Sequence, residues 1–150
     1  MTSFIRIFCL FTLSFSVNAL EIEFIGPCQD GPLLKTEVDE AFENVGAITI
    51  AVLEKFQAPH IGNEIGLHTA FNTPIGLEAL EVISDEEMNS YGWCYEVDGI
   101  IPESFPVEYK ITPDIKKISW FFGHARYFRG EWTDQCLKTF KNPPAFLCSP

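Results

Sequence analysis

The clearest pattern in the chain is an alternation of apolar and acidic residues that begins at Leu20. Residues 20–25 read LEIEFI, so that Leu20, Ile22 and Phe24 share one side and two glutamates share the other. A period of two residues predicts a half-buried strand. The Gly-Pro pair that follows should end it, because proline cannot donate to a strand ladder.

A helix is predicted over residues 46–56, which read GAITIAVLEKF. The apolar residues of this segment recur at helical spacing, Asn44 can cap the start, and Pro59 lies just beyond the end. The β-branched pair Thr49 and Ile50 favours a strand instead. The length of the segment and its Ala-Val-Leu-Glu-Lys run favour the helix.

The segments around this helix are less regular. Residues 33–44 are polar and acidic, and they fit either a loose helical turn or an edge strand. Residues 60–74 are rich in Gly and Asn and predict an irregular loop, with room for a short strand around residues 66–71. Residues 77–83 alternate in part and predict a strand. Ser84, with Glu87 three residues later, matches a capping box and predicts a turn or a short helix.

The second half of the chain predicts a series of short strands. In GWCYEVDG at 92–99, Trp93, Tyr95 and Val97 share one face and Cys94 lies on the other, more polar face. The Asp-Gly pair that closes this stretch is a strong hairpin signal. Further strands are predicted at 107–111, 118–122, 125–128 and 131–133, with the apolar ISWFF at 118–122 in the centre of a sheet and Arg129-Gly130 as a hairpin turn. The predicted fold class is therefore α+β, with about five to six strands and one helix.

The N-terminal segment changes the expected compartment. Arg6, an apolar run over residues 7–15 and small residues up to Ala19 are typical of a secretory signal peptide with cleavage before Leu20. The run is too short to span a bilayer. We therefore expect a signal peptide at 1–19, then a single domain over 20–150 with a Pro-rich tail from about residue 141. The protein is expected to be exported and soluble, periplasmic or extracellular, without a membrane anchor.

The net charge excludes one class of partner. The full chain carries −11, and loss of Arg6 with the signal peptide makes this −12. An acidic surface repels phosphate backbones, so no nucleic acid partner is expected.

Four cysteines follow the signal peptide: Cys28, Cys94, Cys136 and Cys148. An even number in an exported chain predicts two disulfides, for which three connectivities are possible. We prefer Cys94 with Cys136, which follows the last predicted strand, and this leaves Cys28 with Cys148. A catalytic thiol is the alternative, and the lack of a Cys-x-x-Cys motif and an oxidising compartment disfavour it.

Motifs for catalysis, metals or cofactors are not found. There is no Gly-x-Ser-x-Gly, no Walker loop and no dinucleotide fingerprint, so no cofactor is predicted. His60 and His68 are eight residues apart, which is not a spacing of metal ligands. A hydrolase would have to use carboxylates such as Glu64 or Glu86.

Aromatic residues are the remaining candidates for a binding site. They lie in the C-terminal strands, where they form either the core or a ligand platform on one sheet face. Trp132, beyond a predicted turn, is the aromatic residue most expected at the surface. The candidate ligand-binding residues are Trp93, Tyr95, Tyr109, Trp120, Phe122, Tyr127 and Trp132.

Four stretches together resemble one known domain: ITIAVLEKF at 48–56, GWCYEVDG at 92–99, VEYKI at 107–111 and KISWFF at 117–122. They resemble the C-terminal domain of the cobalamin carriers transcobalamin and intrinsic factor, over about residues 20–132. The resemblance implies a β-grasp-like fold, with a mixed sheet wrapped across one helix. In those carriers the ligand sits between this domain and a large helical domain, so the resemblance implies binding without identifying a ligand.

These observations lead to one main functional hypothesis and two alternatives. We expect a non-enzymatic exported binding module that engages a small molecule or a protein through the aromatic sheet face and the Gly-rich loop 60–74. One alternative is an envelope or secreted interaction or effector protein whose acidic surface meets a basic partner. The other is a carboxylate-based hydrolase.

Overall fold

The computed structural model describes residues 19–138 and 144–148. The predicted signal peptide therefore lies outside the described residues except for Ala19, as does part of the Pro-rich tail. The described chain forms strands β1 (Leu20–Ile25) and β2 (Leu34–Val38), helix α1 (Val45–Lys55), and strands β3 (His60–Asn63), β4 (Gly66–Ala70), β5 (Leu80–Ser84), β6 (Glu87–Val97), β7 (Lys117–Phe128) and β8 (Glu131–Leu137). Two short 3₁₀ helices, Gly76–Ala79 and Ala145–Cys148, complete it.

Strand β7 is the centre of a six-stranded mixed sheet. The strand order is β2-β1-β7-β6-β5, and β8 also pairs with β7. Strand β7 runs parallel to β1 and antiparallel to β6 and β8. Its first half pairs with β1 and its second half with β8, whereas β6 pairs along its whole other edge. Together with α1 and two disulfides, this arrangement confirms the α+β class and the central position of ISWFF.

The sheet has one covered face, which we call the inner face. Helix α1 and the separate hairpin of β3 and β4 pack against it and form the hydrophobic core. Trp120 on β7 is buried there, and its indole N–H donates to the hydroxyl of Thr49 on α1 at 2.8 Å. The opposite face, the outer face, carries most of the charged residues of the central strands.

Helix α1 begins where the sequence predicts. The side chain of Asn44 accepts a hydrogen bond from the backbone N–H of Ala47 at 2.8 Å, as an N-cap should. Gly46 in the first turn lets the β3–β4 hairpin approach closely, because a Cβ there would lie 2.1 Å from the carbonyl oxygen of Glu64. The hairpin is thus seated on the helix by backbone contact.

The strand predicted over residues 107–111 is wrong. The segment forms only an isolated bridge, between Asn44 and Lys110. The segment does not extend the sheet, although β5 pairs only with residues 87–90 of β6. Its carbonyl groups serve the helix instead: the N–H of Val45 donates to the carbonyl of Tyr109 at 3.0 Å. This contact satisfies a donor that a helix start leaves without an intrahelical partner.

Other segments whose structure the sequence left open or placed differently take the following forms. Residues 33–44 contain an edge strand, β2. Residues 60–74 contain the strand expected around 66–71, which is β4, and a second strand, β3, that was not expected and pairs with it. The strand predicted over 77–83 begins later, at Leu80, after a 3₁₀ turn. Ser84 forms a turn, with its hydroxyl accepting from the N–H of Glu86 at 3.2 Å.

The disulfides pair Cys94 with Cys136 and Cys28 with Cys148, which is the pairing preferred from the sequence. The Cα atoms are 5.8 Å and 5.5 Å apart, within the normal range for a disulfide. No helix in the described part of the chain is both long and apolar enough to cross a membrane.

Candidate functional site

Most of the aromatic residues proposed as ligand contacts belong to the core. Trp93, Tyr95, Trp120 and Phe122 are only 2 to 8% exposed on the inner face. Tyr109 is half-buried, and its ring packs edge-on against Tyr95 with 6.4 Å between centroids. The aromatic face is the one that α1 covers, because large rings provide most of the apolar area a small core needs. These five residues therefore do not form a surface platform, which corrects the expectation from the sequence.

The other two aromatic candidates lie together on the outer face. Trp132 on β8 is 48% exposed, as expected for this residue. Tyr127 is its cross-strand partner in β7, and the two rings meet nearly edge-to-face with centroids 5.5 Å apart. Tyr127 therefore supports the indole of Trp132 from one side.

A surface groove begins beside Trp132, and we call it the outer groove. Gly92 of β6 and Gly123 of β7 are directly paired in the sheet, so no side chain rises from its floor at that point. The groove has a volume of about 390 Å³ and opens to solvent. Its side-chain walls come from Ser90, Cys94, Ala125, Trp132, Gln135 and Cys136.

One wall of the outer groove is a short segment that crosses the outer face, residues 136–138, which we call the strap. The carbonyl oxygen of Leu137 lies 3.0 Å from where a Cβ of Gly123 would be, so the absence of a side chain at residue 123 lets the strap lie this close to β7. The disulfide to Cys94 ties the strap to β6. Lys138 pairs with Glu96 and lies 4.9 Å from the centre of the Phe121 ring.

A group of ion pairs lies on the outer face near the start of β7. Lys117 contacts Glu21 at 3.1 Å and Glu23 at 2.8 Å, and Lys35 contacts Glu21 at 2.8 Å. The hydrogen bond from Lys35, followed by that from Lys117, holds the pKa of Glu21 below its usual value. The hydrogen bond to Glu23 raises the pKa of Lys117. These residues neutralise one another, and none of them lines the outer groove.

Behind the groove, on the inner face, a polar cluster joins β5 to β6. The hydroxyl of Tyr91 donates to a carboxylate oxygen of Glu81 at 2.5 Å, and the amide of Asn89 donates to the same oxygen at 3.0 Å. Burial, helped by the hydrogen bond to Glu81, raises the pKa of Tyr91 to about 12. Burial lowers the pKa of His124, whose ring lies 5.5 Å from that of Tyr91. At neutral pH both rings are therefore uncharged, and their contacts are those of a structural cluster.

The carboxylates and histidines considered from the sequence have the following places in the structure. Glu64 lies exposed in the turn between β3 and β4, and Glu86 forms an ion pair with Arg129 at 3.0 Å. His60 contacts the carbonyl of Ala58 at 2.9 Å. Within residues 19–138 and 144–148, no three His, Cys, Asp or Glu side chains are grouped to hold a metal ion. The four cysteines of this part are all oxidised.

Four residues of the outer groove were not identified from the sequence: Gly92, Gly123, Ser90 and Gln135. Gly92 and Gly123 interrupt apolar strand patterns, and glycine inside a strand often marks close approach of a ligand or another backbone. That signal could have pointed to this place. Ser90 and Gln135 carry no comparable signal, since their relation to the glycines depends on strand register.

Comparison of the chain with protein-family models, with curated proteins and with solved structures gives no match.

Proposed function

We propose that this protein is an exported, non-enzymatic binding module whose ligand occupies the outer groove. The observation that carries the proposal is the groove itself: an open space of about 390 Å³ beside the half-exposed indole of Trp132. Its volume falls at the lower end of the range of small-molecule sites. An indole held at the surface by Tyr127 is a feature expected of a binding site, because aromatic side chains dominate contact energies there.

Export is supported by two features of different kinds. The two disulfides fit an oxidising compartment. The segment before Leu20 has the composition of a secretory signal peptide. A binding role without catalysis is the simplest one for a site walled by a disulfide, an indole, a hydroxyl and an amide, since none of these is poised as a nucleophile or a base.

The β-grasp-like arrangement and the likeness to the C-terminal domain of the cobalamin carriers remain part of this proposal. A β1–β2 hairpin that leads into a helix packed across a mixed sheet supports them. They do not transfer a ligand, because one fold hosts many functions.

The direct test is native mass spectrometry of the protein isolated from its own exported fraction without reducing agent. We expect a mass four hydrogens below that of the reduced chain, together with a bound small-molecule adduct. Replacing Trp132 with Ala should remove the adduct and leave the oxidised mass. An oxidised protein without any adduct, or an adduct that survives Trp132→Ala, would contradict the proposal.

A protein partner is the second candidate, and one observation favours it. The edge strand β5 exposes Val82 and Ile83, and Leu77 just before it is also exposed. An exposed apolar edge strand is a known template for pairing with another chain. If the acidic surface also steers a basic partner, capture from the exported fraction should weaken strongly as salt is raised, because charge attraction is screened over about 8 Å at physiological salt.

A further inference from the structure

We infer that the outer groove binds a neutral saccharide, with one sugar ring stacked on the indole of Trp132. The inference rests on the proposed function and names the ligand class of that same site. Four properties of the groove carry it: its lack of charge, its aromatic wall, the kind of polar side chains it holds and its openness.

The first property is the absence of charge. Of the described side chains that line the groove, none is ionised, although the chain holds 10 basic and 21 acidic residues. A charged ligand would lose hydration there without gaining an opposite charge. Anions would also meet the repulsion of an acidic protein. The ligand that fits is neutral.

The second property is the indole of Trp132. Its π face carries partial negative charge, so it attracts the weakly positive C–H groups on one side of a sugar ring. Tyr127 packs against it at 5.5 Å between centroids and limits its rotation. Because the indole is already held in place, less side-chain entropy is lost when a ring stacks on it.

The third property is the chemistry of the polar walls. The hydroxyl of Ser90 and the amide of Gln135 each both donate and accept hydrogen bonds. Sugar hydroxyls also do both, so either side chain can pair with a hydroxyl in more than one orientation. A purely apolar ligand would displace water from these two groups without replacing its hydrogen bonds.

The fourth property is shape. The floor at the paired Gly92 and Gly123 is bare backbone, which lets a ring lie close to the sheet. The groove stays open to solvent on its outer side. Apolar ligands favour sites that enclose most of their surface. A saccharide can instead leave the hydroxyls of its outer side in water.

The test is a calorimetric titration of the oxidised protein with the neutral sugars glucose, galactose, mannose and N-acetylglucosamine and with short oligomers of each. Glucuronic acid and glucosamine serve as charged counterparts of similar size. We expect saturable binding of at least one neutral sugar, and binding at least about tenfold weaker for its charged counterpart.

Two variants and a control locate the binding. Trp132→Ala removes the stacking surface. Gly92→Leu fills the groove from its floor, where a Cβ meets nothing within 4 Å and folding should be preserved. Gly66→Leu is the matched control, because its Cβ is equally free and lies in the β3–β4 hairpin. We expect both groove variants to weaken binding at least about tenfold and the control to bind as wild type does.

The outcomes separate this inference from the proposed function. If no neutral sugar binds, but the exported protein carries another adduct that Gly92→Leu removes, the saccharide inference is overturned and the binding module stands. If a sugar binds equally well to Gly92→Leu, the outer groove is not its site and the inference is also overturned. If the exported protein carries no adduct and no sugar binds, both fail.

Discussion

The hydroxyl of Thr49 joins the helix to the central strand. It accepts from the indole N–H of Trp120 at 2.8 Å and donates to the carbonyl of Val45 at 2.6 Å, and both Thr49 and Trp120 are fully buried. Thr49→Val keeps the shape but leaves the indole N–H without an acceptor. We expect a loss of about 1–3 kcal/mol in the free energy of unfolding, measured with urea.

Thr49→Ser is the matched control for this contact. It keeps the hydroxyl and removes only a methyl group, so its cost should be about 1 kcal/mol. A Thr49→Val variant as stable as wild type would show that the buried hydrogen bond contributes nothing to the packing of α1 on the sheet.

The raised pKa of Tyr91 leads us to expect a lower free energy of unfolding at alkaline pH. Its pKa is about 12 in the folded protein, against an ordinary value of 10.0. The unfolded chain therefore loses this proton first, so the contribution is complete below pH 10 and is lost as the pH rises toward 12. At about 1.4 kcal/mol for each pKa unit, its size is at most about 3 kcal/mol. The free energy of unfolding of wild type should fall more steeply across this range than that of Tyr91→Phe.

A spectroscopic titration checks the same contribution directly. Of the four tyrosines, the one removed in Tyr91→Phe should account for the latest step in tyrosinate absorbance. Parallel stability curves for wild type and Tyr91→Phe would contradict the raised pKa.

At the scale of elements, the strap over β7 depends on one glycine of a pair. Gly123→Ala would place a Cβ 3.0 Å from both the carbonyl oxygen of Leu137 and the ring of Phe121, so the strap must shift. Gly92→Ala, on the opposite strand, meets nothing within 4 Å. We expect Gly123→Ala to cost about 1–3 kcal/mol. Gly92→Ala should be neutral or stabilising by less than about 1 kcal/mol.

Thermal unfolding of the two glycine variants side by side is the measurement. Because Gly92 and Gly123 are cross-strand partners in the same sheet, strand propensity affects both alike and cancels in the comparison. Equal destabilisation of the two variants would mean that the strap does not lie over residue 123.

Elements with strong local signals could be predicted from the sequence, and those set by tertiary contacts could not. Strand β1 shows a clear alternation of apolar and polar residues, and helix α1 has an N-cap residue at its start. The turn at Arg129-Gly130 has a residue pair typical of turns. Residues 107–111 alternate just as β1 does, yet their backbone pairs with the start of α1 instead of joining the sheet. Local pattern could not reveal this, because contacts between segments distant in sequence decide it.

The candidate site likewise has features that the sequence predicts and features that only tertiary contacts determine. The exposure of Trp132 follows from its place beside a turn, and the sequence indicated it. The outer groove needs Gly92 and Gly123 in register, as well as a strap that crosses β7. Aromatic density alone pointed to the wrong face, because alternation tells which residues share a face but not which face the helix covers.

At the scale of the whole molecule, the two disulfides constrain different parts of the chain. The Cys28–Cys148 bond spans 120 residues and holds the C-terminal 3₁₀ helix, whereas Cys94–Cys136 spans 42 and holds the strap. In the chain-entropy model their removal costs about 5 and about 4 kcal/mol, respectively. We expect urea unfolding of the two double Cys→Ala variants to rank them in that order.

Only one of these variants should affect the groove. Loss of Cys94–Cys136 frees the wall beside Trp132, whereas the other disulfide does not line the groove. Under conditions where both variants remain folded, ligand binding should be weakened only by the first. If both variants bind the ligand equally well, the strap does not contribute to the binding site.

The most direct test of the central claim is the adduct occupancy of Gly92→Leu, measured by native mass spectrometry after isolation from the exported fraction beside wild type and Gly66→Leu. If the outer groove is the binding site, wild type and Gly66→Leu will carry the same small-molecule adduct, and Gly92→Leu will be oxidised, folded and empty. An adduct on all three proteins at equal occupancy would contradict the claim, because the ligand would then lie elsewhere.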